Sequence, residues 1–486
     1  MEGFLTHGSS IYHRLVALYT RQSDGQLLRC TNKHLEQHWD EVRYATQDSF
    51  DGKDHASPAT QMQLPLRPVI KDTTANGSTS VILLERQNDS HEHILGVLVK
   101  VDNTEPNECL DDFFMDLVLR CTQQTVQPCD SQDQSADLDS IEEKVVDLFE
   151  NSIRNVAPDD QWPTTGRAFF LRQLKHYTRL NSKIELVLPA FPCKSSNPDK
   201  VGNDLPDRGE MIALTTLHNF VRSVEDIYKP GAQVLIVSDG HVFSDCIGVE
   251  DSMVDAYGSK LREMNETIKN SFEDGGRQRA RFQGLSEMLK LQRSDIEGEN
   301  LADRLELEEL KHPIEQIPIN DDAETSRRLL MQGFRANTDE LRGRIDAKDP
   351  SALALYRDFS RFMLEDLQRN EYTEDLSKSK LRRLSSKVAF EMIERNQAYS
   401  NMIEMMFPYH LRLSIHAHNN AGPKFGDAAG SHDLLHVPTP WHGCIVELAG
   451  HKDLYMTKVE KVEEAIEEKK VIGAWVAPTP QKNQKR

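Results

Sequence analysis

Two short apolar runs joined by a helical segment constrain the fold of this chain more than any other feature. The runs are KIELVLPAFP at 183–192 and GAQVLIVSDG at 231–240, and the hydrophobic residues in each are continuous rather than alternating. Between them, residues 208–228 carry apolar side chains at helical spacing. A short continuous apolar run predicts a strand that is buried on both faces. The order strand, helix, strand therefore predicts an α/β fold with a parallel sheet and a right-handed crossover.

The first part of the chain is predicted to contain a hairpin and a polar linker. SVILLERQ at 80–87 and HILGVLVKVD at 93–102 predict two strands of a hairpin, because a short polar turn joins them. Residues 127–139 are polar, with almost nothing to bury, and indicate a linker. We therefore expect a variable N-terminal region over 1–140 and a catalytic domain over 141–486.

Helical patterns occur on both sides of this boundary. A weak one lies near Ile11–Tyr19, and Ser140 with Glu143 forms a capping-box pattern that predicts a helix start. Residues 251–407 are mostly helical in pattern and rich in charges of both signs. Such alternating charges indicate solvated helix faces, so this stretch is predicted to be a charged helical insertion.

The charge balance excludes several kinds of partner. The 58 Lys and Arg residues against 78 Asp and Glu give a net charge of −20, which disfavours binding to nucleic acid or anionic membranes. The seven cysteines are scattered, with no C-x-x-C pair, so neither a disulfide framework nor a structural zinc site is expected. The chain shows no secretory signal and no apolar run near the ~20 residues of a membrane helix. A reducing, cytoplasmic location is the expectation.

Polar residues gather in the loops that follow the two predicted strands. Ligands of open parallel sheets bind at the carboxyl ends of the strands, so these loops are the candidate site. The first loop supplies Lys194, Ser195, Ser196, Asn197, Arg208 and Glu210. Cations and hydroxyl groups of this kind can cradle an anion. The alternative is a long surface loop whose polar side chains are exposed to solvent and bind no ligand.

The second loop supplies a carboxylate and an imidazole. Asp239 and His241 follow the strand at once, and Asp245 lies four residues beyond the histidine. A carboxylate beside an imidazole can tune its proton affinity for acid–base work. The alternative is a simple Asp-Gly turn, followed by a histidine whose ring nitrogens have ordinary hydrogen-bond partners and no catalytic role.

A third group of cationic and imidazole side chains lies near the C-terminus. Its members are Arg412, His416, His418, Lys424, His432, His436 and His442. LRLSIHAH at 411–418 alternates like a strand, which puts Arg412, His416 and His418 on one face. An H-x-H pair on a strand can bind a metal, with His442 as a third ligand. No carboxylate stands at ligand spacing, so a pocket lining without metal is favoured, and no metal is predicted.

Two other chemistries find little support. Cys193 has no histidine nearby and lacks a nucleophile elbow, so it is predicted to be a structural thiol. The chain contains no G-x-G-x-x-G motif and no P-loop, so nucleotide binding is not expected.

Four motifs, taken in order along the chain, resemble the isocyanide synthase family. They are LPAFPCKSSNPDKVGNDLPDRGEM, VLIVSDGHVFSDCIGVED, LRLSIHAHNNAGPKFG and TPWHG. The family includes bacterial pyoverdine/paerucumarin-type isonitrile synthases and a fungal branch with the dityrosine spore-wall enzymes. The resemblance covers about residues 145–455 and is specific, because the motifs are long and in the expected order.

The resemblance implies an enzyme that condenses the α-amine of an amino acid with the ketone of ribulose 5-phosphate. The sugar is then fragmented, which leaves one carbon on nitrogen as an isonitrile. It also implies a Rossmann-like α/β core with helical additions. No metal or redox cofactor is needed, because the keto sugar is its own electron sink. Downstream biosynthetic enzymes are candidate partners.

Roles for the candidate residues follow as hypotheses. A phosphate and a carboxylate require two cationic subsites within an acidic protein. The residues assigned to these subsites are Lys194 with Arg208, and Arg412 with Lys424. The residues assigned to proton transfer are Asp239, His241 and Glu210, with His416 or His442 as helpers. Ser195, Ser196 and Asn197 are assigned to substrate binding.

Two alternatives stay open. One is a spore-wall enzyme that makes N-formyl tyrosine precursors, since hydration of an isonitrile gives a formamide. The other is a non-catalytic scaffold that uses the acidic helices of 251–407 to hold partners, against which the intact polar loops argue. The sequence leaves the amino acid undefined.

Overall fold

The computed structural model describes most of the chain after residue 137 and five strands before it. The described residues are 13–21, 27–29, 69–72, 79–87, 93–101, 138–154, 162–179, 181–289, 291, 301–334, 338–407, 410–413, 440–448, 454–462 and 471–475.

The N-terminal strands form an antiparallel sheet. They are β1 His13–Arg21, β2 Leu27–Arg29, β3 Val69–Asp72, β4 Thr79–Gln87 and β5 His93–Val101, in the order β2-β1-β5-β4-β3. Ser80 of β4 pairs with Lys100 of β5, as the two apolar runs predicted. The helix predicted near Ile11–Tyr19 is wrong, because β1 pairs along its length with β5 and cross-strand pairing overrides a weak local pattern.

The central part alternates helices with parallel strands. Its elements are α1 Leu138–Ser152, α2 Arg167–Arg179, β6 Ile184–Pro189, α3 Arg208–Ile227, β7 Ala232–Val237, α4 Gly240–Ile247, α5 Asp251–Ser271 and β8 Ala280–Gln283. Helix α1 begins two residues before the predicted start at Ser140, and the rest of the predicted linker lies outside the described residues. The parallel strand–helix–strand unit of β6, α3 and β7 is confirmed, with Ile184 opposite Ala232.

The next stretch is helical, as predicted, and leads back to the sheet. Its elements are α6 Leu285–Met288, α7 Leu301–Arg304, α8 Asp321–Phe334, α9 Thr338–Asp346, α10 Pro350–Leu367, α11 Lys378–Met406 and β9 Leu411–Arg412. Strand β9 pairs in parallel with β6, so the sheet has the order β8-β7-β6-β9. The remaining strands, β10 Cys444–Leu448, β11 Leu454–Thr457 and β12 Val471–Trp475, form an antiparallel sheet in the order β11-β10-β12.

The parallel sheet is covered by helices on both faces. Leu186, Leu188 and Val234 point into a core built with α1, α2, α3 and α5. Val187 and Leu235 point the other way, into a core built with α4, α8 and α11. Burial of both faces explains the continuous apolar runs of β6 and β7, because neither strand has a solvent face. The result is a mixed α/β fold that is mostly helical. None of the helices in the described part of the chain combines the length and the apolarity that crossing a membrane requires.

The turn between β7 and α4 packs directly on the loop that follows β6. A Cβ atom at Gly240 would lie 2.2 Å from the Pro192 carbonyl oxygen and 2.5 Å from Val254 Cγ1. Distances this short cannot be accommodated unless the backbone moves. A glycine is therefore required where the two loops cross.

Replacing Gly240 tests this crossing. Gly240→Ala should lower the free energy of unfolding by about 1–3 kcal/mol, because the new methyl group overlaps a backbone carbonyl. Gly343→Ala is the control: it lies in helix α9, and a methyl group added there would meet nothing within 4 Å. This control should be neutral or stabilising by about 0.5–1 kcal/mol. Chemical denaturation measures both, and equal stability of the two variants would contradict the packing described.

Candidate active site

The carboxyl ends of β6, β7 and β9 lie along one edge of the parallel sheet. The loop after β6 and the turn after β7 are joined there, since Ala190 N donates to the Val237 carbonyl at 3.1 Å. The Ser238 hydroxyl donates to the carbonyl of Phe191 at 3.0 Å. Phe191 has a φ of 60°, which is unusual for a residue other than glycine and indicates a strained turn. The two predicted loops therefore meet at this edge.

Asp239 lies at this edge, and one oxygen of its carboxyl group has no hydrogen-bond partner among the described residues. It stands at the N-cap position of α4, where an Asp side chain ordinarily accepts a hydrogen bond from the first helical turn, yet it makes no such bond. Its Oδ1 atom is buried and has no hydrogen-bond partner among the described residues. Burial raises the pKa of Asp239 to about 7. Near neutral pH this carboxyl can both take and return a proton.

Glu210 forms a second carboxyl centre, in the first turn of α3. It is fully buried, and Lys194 Nζ lies 2.7 Å from its Oε1. The Tyr257 hydroxyl donates to the same oxygen at 3.0 Å, and the backbone N–H of Asp207 donates to Oε2 at 2.9 Å. Burial raises the pKa of Glu210 to about 7, although the positive charge of Lys194 opposes the shift.

The other polar residues of the first loop are buried and bound within the protein. The Lys194 side chain is only 2% exposed and also contacts Asp207 at 3.2 Å. Ser195 N donates to the Trp441 carbonyl at 2.8 Å, and Asn197 Nδ2 donates to the Glu365 carbonyl at 3.1 Å. These contacts fix the path of the loop. The substrate-binding roles of Lys194, Ser195 and Asn197 stay a prediction.

Ser196 and Arg208 occupy the more accessible parts of this region. The Ser196 hydroxyl lies 3.5 Å from the Ile247 carbonyl, at the limit of a hydrogen bond. Arg208 is the first residue of α3 and is exposed. Of the two cations predicted for one subsite, Lys194 is thus enclosed and Arg208 faces solvent.

His241 and Glu210 contact different residues of helix α5. Its Nε2 lies 3.2 Å from Asp255 Oδ1, whereas Glu210 binds Tyr257. Residues two apart on a helix differ by about 200° in direction, so the two contacts lie on different sides of α5. Burial alone would lower the pKa of His241, but the Asp255 carboxylate outweighs it and the pKa is raised. The described contacts do not bring His241 to Lys194.

The third predicted group is partly described. Arg412 donates from Nη2 to the Ser400 hydroxyl at 2.8 Å, and its charge acts on Tyr399 together with that of Asp239. His442 packs edge-on against the ring of Phe362, with ring centroids 4.9 Å apart. The remaining members, His416, His418, Lys424, His432 and His436, lie outside the described residues. Among the residues the structure describes, no three His, Cys, Asp or Glu side chains are grouped to hold a metal ion.

Cys193 is enclosed beside Asp239. It is buried, and burial together with the negative charge of Asp239 raises the pKa of its thiol well above the usual range. A thiol held in its neutral form is a poor nucleophile. This agrees with the predicted structural role.

Behind α4 lies a buried network of charges that the sequence patterns did not indicate. Asp245 pairs with Arg395, with Nη1–Oδ1 at 2.5 Å and Nη2–Oδ2 at 2.9 Å. Asp251 pairs with Arg327 in the same two-bond manner at 2.9 and 3.0 Å. Both arginines are fully buried, although they belong to the stretch predicted to present solvated helix faces. That part of the prediction is wrong at these positions.

His312 completes the network. Its Nδ1 donates to Asp245, and its Nε2 lies 3.2 Å from Glu324 Oε2. These two hydrogen bonds raise the pKa of His312 to about 9. Burial by itself would raise the pKa of Asp245, but Arg395, His312 and Arg327 hold it well below its usual range. The imidazole is therefore charged at neutral pH and balances the surplus carboxylate.

This arrangement predicts a pH dependence of stability. A raised pKa means that the protonated His312 stabilises the fold fully below pH about 6.5, and that this contribution is lost as pH rises through about 9. The difference in unfolding free energy between the wild type and His312→Gln should therefore shrink over that range, by at most about 3 kcal/mol. Denaturation at several pH values measures it. A difference that stays constant over this range would show that the pKa of His312 is not raised in the folded state.

The part of the chain that holds these residues is similar to known proteins. The sequence model of the family "Pyoverdine/dityrosine biosynthesis protein" matches residues 174–469. The spore wall maturation protein DIT1 of Saccharomyces cerevisiae is 39% identical over 354 residues, which cover 68% of this chain. The match spans 64% of the yeast protein, which is less than two thirds of its length.

A bacterial relative and a solved structure are also similar to this chain. The L-tyrosine isonitrile synthase of Pseudomonas aeruginosa is 31% identical over 278 residues, covering 57% of this chain and 73% of that protein. The crystal structure of the PvcA protein from Pseudomonas aeruginosa superimposes with a TM-score of 0.52 at 27% identity. It covers 67% of this chain and 94% of that one. The fold and the sequence thus point to the same relatives.

Proposed function

The chain belongs to the pyoverdine/dityrosine biosynthesis protein family, and on that premise we propose that it is an isocyanide synthase. Its substrate is an amino acid, whose α-amino nitrogen becomes the isonitrile nitrogen, and its carbon donor is ribulose 5-phosphate. The relative named as an L-tyrosine isonitrile synthase supports an amino acid substrate.

The buried Oδ1 atom of Asp239, which has no hydrogen-bond partner among the described residues, is the observation that carries the proposal. An amino acid arrives with a protonated amine, which must lose a proton before nitrogen can attack the ketone carbon. Water then leaves and an imine forms. The imine carbon next loses its one-carbon neighbour as formaldehyde, which leaves the electron pair of that bond behind. It then loses the three-carbon phosphate fragment, which departs with the electron pair of the second bond and takes up a proton, so that the isonitrile carbon keeps one lone pair. A carboxyl with a pKa of about 7 can accept the amine proton and return it to the departing water.

Cationic groups near this edge suit the two substrate anions. Arg412 ends β9, which pairs with β6 at this edge of the sheet, and it is assigned to one anion, with Lys424 as its proposed companion. Lys194 and Arg208 are assigned to the other. Lys194 is neutralised by Glu210, whose pKa is about 7, so protonation of Glu210 on binding would free the ammonium charge for an anion.

The activity test uses the intact protein with ribulose 5-phosphate and single amino acids, beginning with tyrosine, and traps the product with a tetrazine. Asp239→Asn should lower kcat by ~10²–10⁴-fold, because the amide cannot exchange the proton. The rate of the wild type should fall as pH drops through about 7, where Asp239 becomes protonated. Asp226→Asn, at an exposed position of α3, is the matched control and should leave kcat unchanged.

The outcomes separate the hypotheses. A wild type that forms neither a tetrazine adduct nor a formamide with any amino acid contradicts the synthase and favours a non-catalytic scaffold. An active Asp239→Asn variant would remove Asp239 from the chemistry while leaving the overall reaction standing.

Arg412 provides a separate test of substrate binding. Arg412→Met keeps most of the side-chain volume and removes the charge, so the KM for one of the two substrates should rise. Loss of a charge partner at a desolvated site costs about 2–5 kcal/mol, or roughly 30-fold or more. Steady-state kinetics with each substrate varied in turn measures this. Unchanged KM values for both would show that Arg412 serves the fold through Ser400.

The spore-wall alternative has one specific observation in its favour, the 39% identity with the yeast spore wall maturation protein. In that case the product with tyrosine would be an N-formyl tyrosine precursor. An isonitrile and its formamide differ in mass by one water, so mass spectrometry of the fresh product decides between them.

A further inference from the structure

Two side chains of helix α11 reach the β7–α4 turn on either side of Asp239. Arg395 and Tyr399 are four residues apart and therefore lie on one face of the helix. The Tyr399 hydroxyl donates to the Val237 carbonyl at 3.0 Å, and Arg395 Nη1 donates to the Val242 carbonyl at 2.9 Å. The two hydrogen bonds thus hold the backbone just before and just after Asp239.

The guanidinium of Arg395 is itself locked in place. It is fully buried, makes a two-bond pair with Asp245, and donates from Nε to Glu391 at 2.8 Å. Arg327 reinforces the same turn from helix α8, donating from Nη1 to the His241 carbonyl at 3.1 Å. Bonds between charged donors and neutral carbonyls in a buried setting are strong. The turn is therefore held from outside by residues far away in the sequence.

The restraint on this turn affects how the Asp239 side chain can be oriented. An Asp at an N-cap position normally turns its side chain onto the amides of the first helical turn, which stabilises both the helix and the carboxylate. Asp239 does not, and its backbone angles of −99° and 12° differ from the extended conformation that capping residues typically adopt. A turn held at both Val237 and Val242 is restrained from rotating the carboxyl group onto those amides.

We propose that Tyr399 and Arg395 are positioning residues, which hold the Val237–Val242 turn so that the Asp239 carboxyl group stays off the α4 amides and free to face the substrate. The proposal rests on the proposed role of Asp239 in proton transfer. Neither side chain needs to touch the substrate. At this point helix α11 prevents the Asp239 carboxyl group from capping helix α4.

Several ionisable groups surround Asp239 and bear on any pH measurement. Cys193 faces it from the loop after β6, Tyr399 from α11, and His241 follows on its own helix. The charge of Arg412 on β9 also acts on Tyr399. Burial raises the pKa of Cys193 and Tyr399 well above neutrality, so both stay uncharged over the range in which Asp239 titrates.

The test removes one hydroxyl group. Tyr399→Phe keeps the ring in the core and deletes the bond to Val237, so the turn can relax and Asp239 can cap α4. A capped carboxylate is more acidic, so the inflection near pH 7 in the rate profile should move down by about one pH unit. The plateau kcat should fall by about tenfold or more, because the carboxyl is misplaced, while KM changes by less than about twofold.

Tyr228→Phe is the matched control. Tyr228 is also a buried tyrosine whose hydroxyl donates to a backbone carbonyl, that of Ser182 at 2.8 Å, at the opposite end of the sheet. It should lose similar stability without any shift of the pH profile. A purely structural role for Tyr399 would make the two variants behave alike, and that result would overturn the proposal.

A second measurement makes the outcome independent of catalysis. The unfolding free energy of the wild type relative to Asp239→Asn, followed against pH, reports the pKa of Asp239, because a carboxyl with a raised pKa destabilises the fold as it ionises. The same comparison between Tyr399→Phe and its double variant with Asp239→Asn should titrate at lower pH. Unchanged titration contradicts the positioning role even if no activity is found, whereas an inactive wild type with shifted titration contradicts the proposed function alone.

Arg395→Lys gives a further check, should Tyr399→Phe prove unstable. Lysine keeps a positive charge for Asp245 but cannot also reach the Val242 carbonyl with a second nitrogen of a planar fork. The titration of Asp239 should move in the same direction. A shift to higher pH, or no shift, in this folded variant would overturn the proposal.

Discussion

The parallel pairing of β6 with β7 is the constraint on which the candidate site depends. Because the strands run in one direction and are buried on both faces, the chain must leave each strand at the same edge of the sheet. The loop at Phe191 and the turn at Asp239 are then forced together, closely enough that Gly240 has no room for a side chain. The site is thus a consequence of strand direction before any catalytic residue is considered.

The second constraint is electrostatic. An acidic protein with a net charge of −20 must gather positive charge locally if it is to receive the two anionic substrates proposed above. Much of the positive charge near the sheet edge is already paired, with Lys194 bound to Glu210 and Arg395 bound to Asp245. Buried pairs of this kind contribute little net stability but are costly to break. These pairs fix the positions of the side chains around Asp239, whose Oδ1 atom has no hydrogen-bond partner among the described residues.

The sequence was sufficient for the parts of the fold that follow from periodicity. Continuous apolar runs predicted β6 and β7, and strand direction then brought Asp239 to the edge. Local pattern failed at β1, where pairing with β5 decides the structure. It also failed for Arg395, which was expected on a solvated face. The sequence did contain an indication that position 395 is buried. An apolar stripe on the same helix face is formed by Tyr399, Met402 and Ile403, and position 395 lies on that face one turn earlier. The burial of Lys194 could not be foreseen, because the path of a long loop does not follow from spacing.

The most direct test of the account is a crystal structure with an amino acid and an unreactive analogue of ribulose 5-phosphate bound together. The account predicts that the amino nitrogen lies within about 2.6–3.2 Å of the Asp239 carboxyl group, directly or through one water, with a substrate anion on Arg412. Substrates bound away from the carboxyl edge of the β6–β7 pair, or an Asp239 side chain turned onto the amides of α4 in that complex, would contradict it.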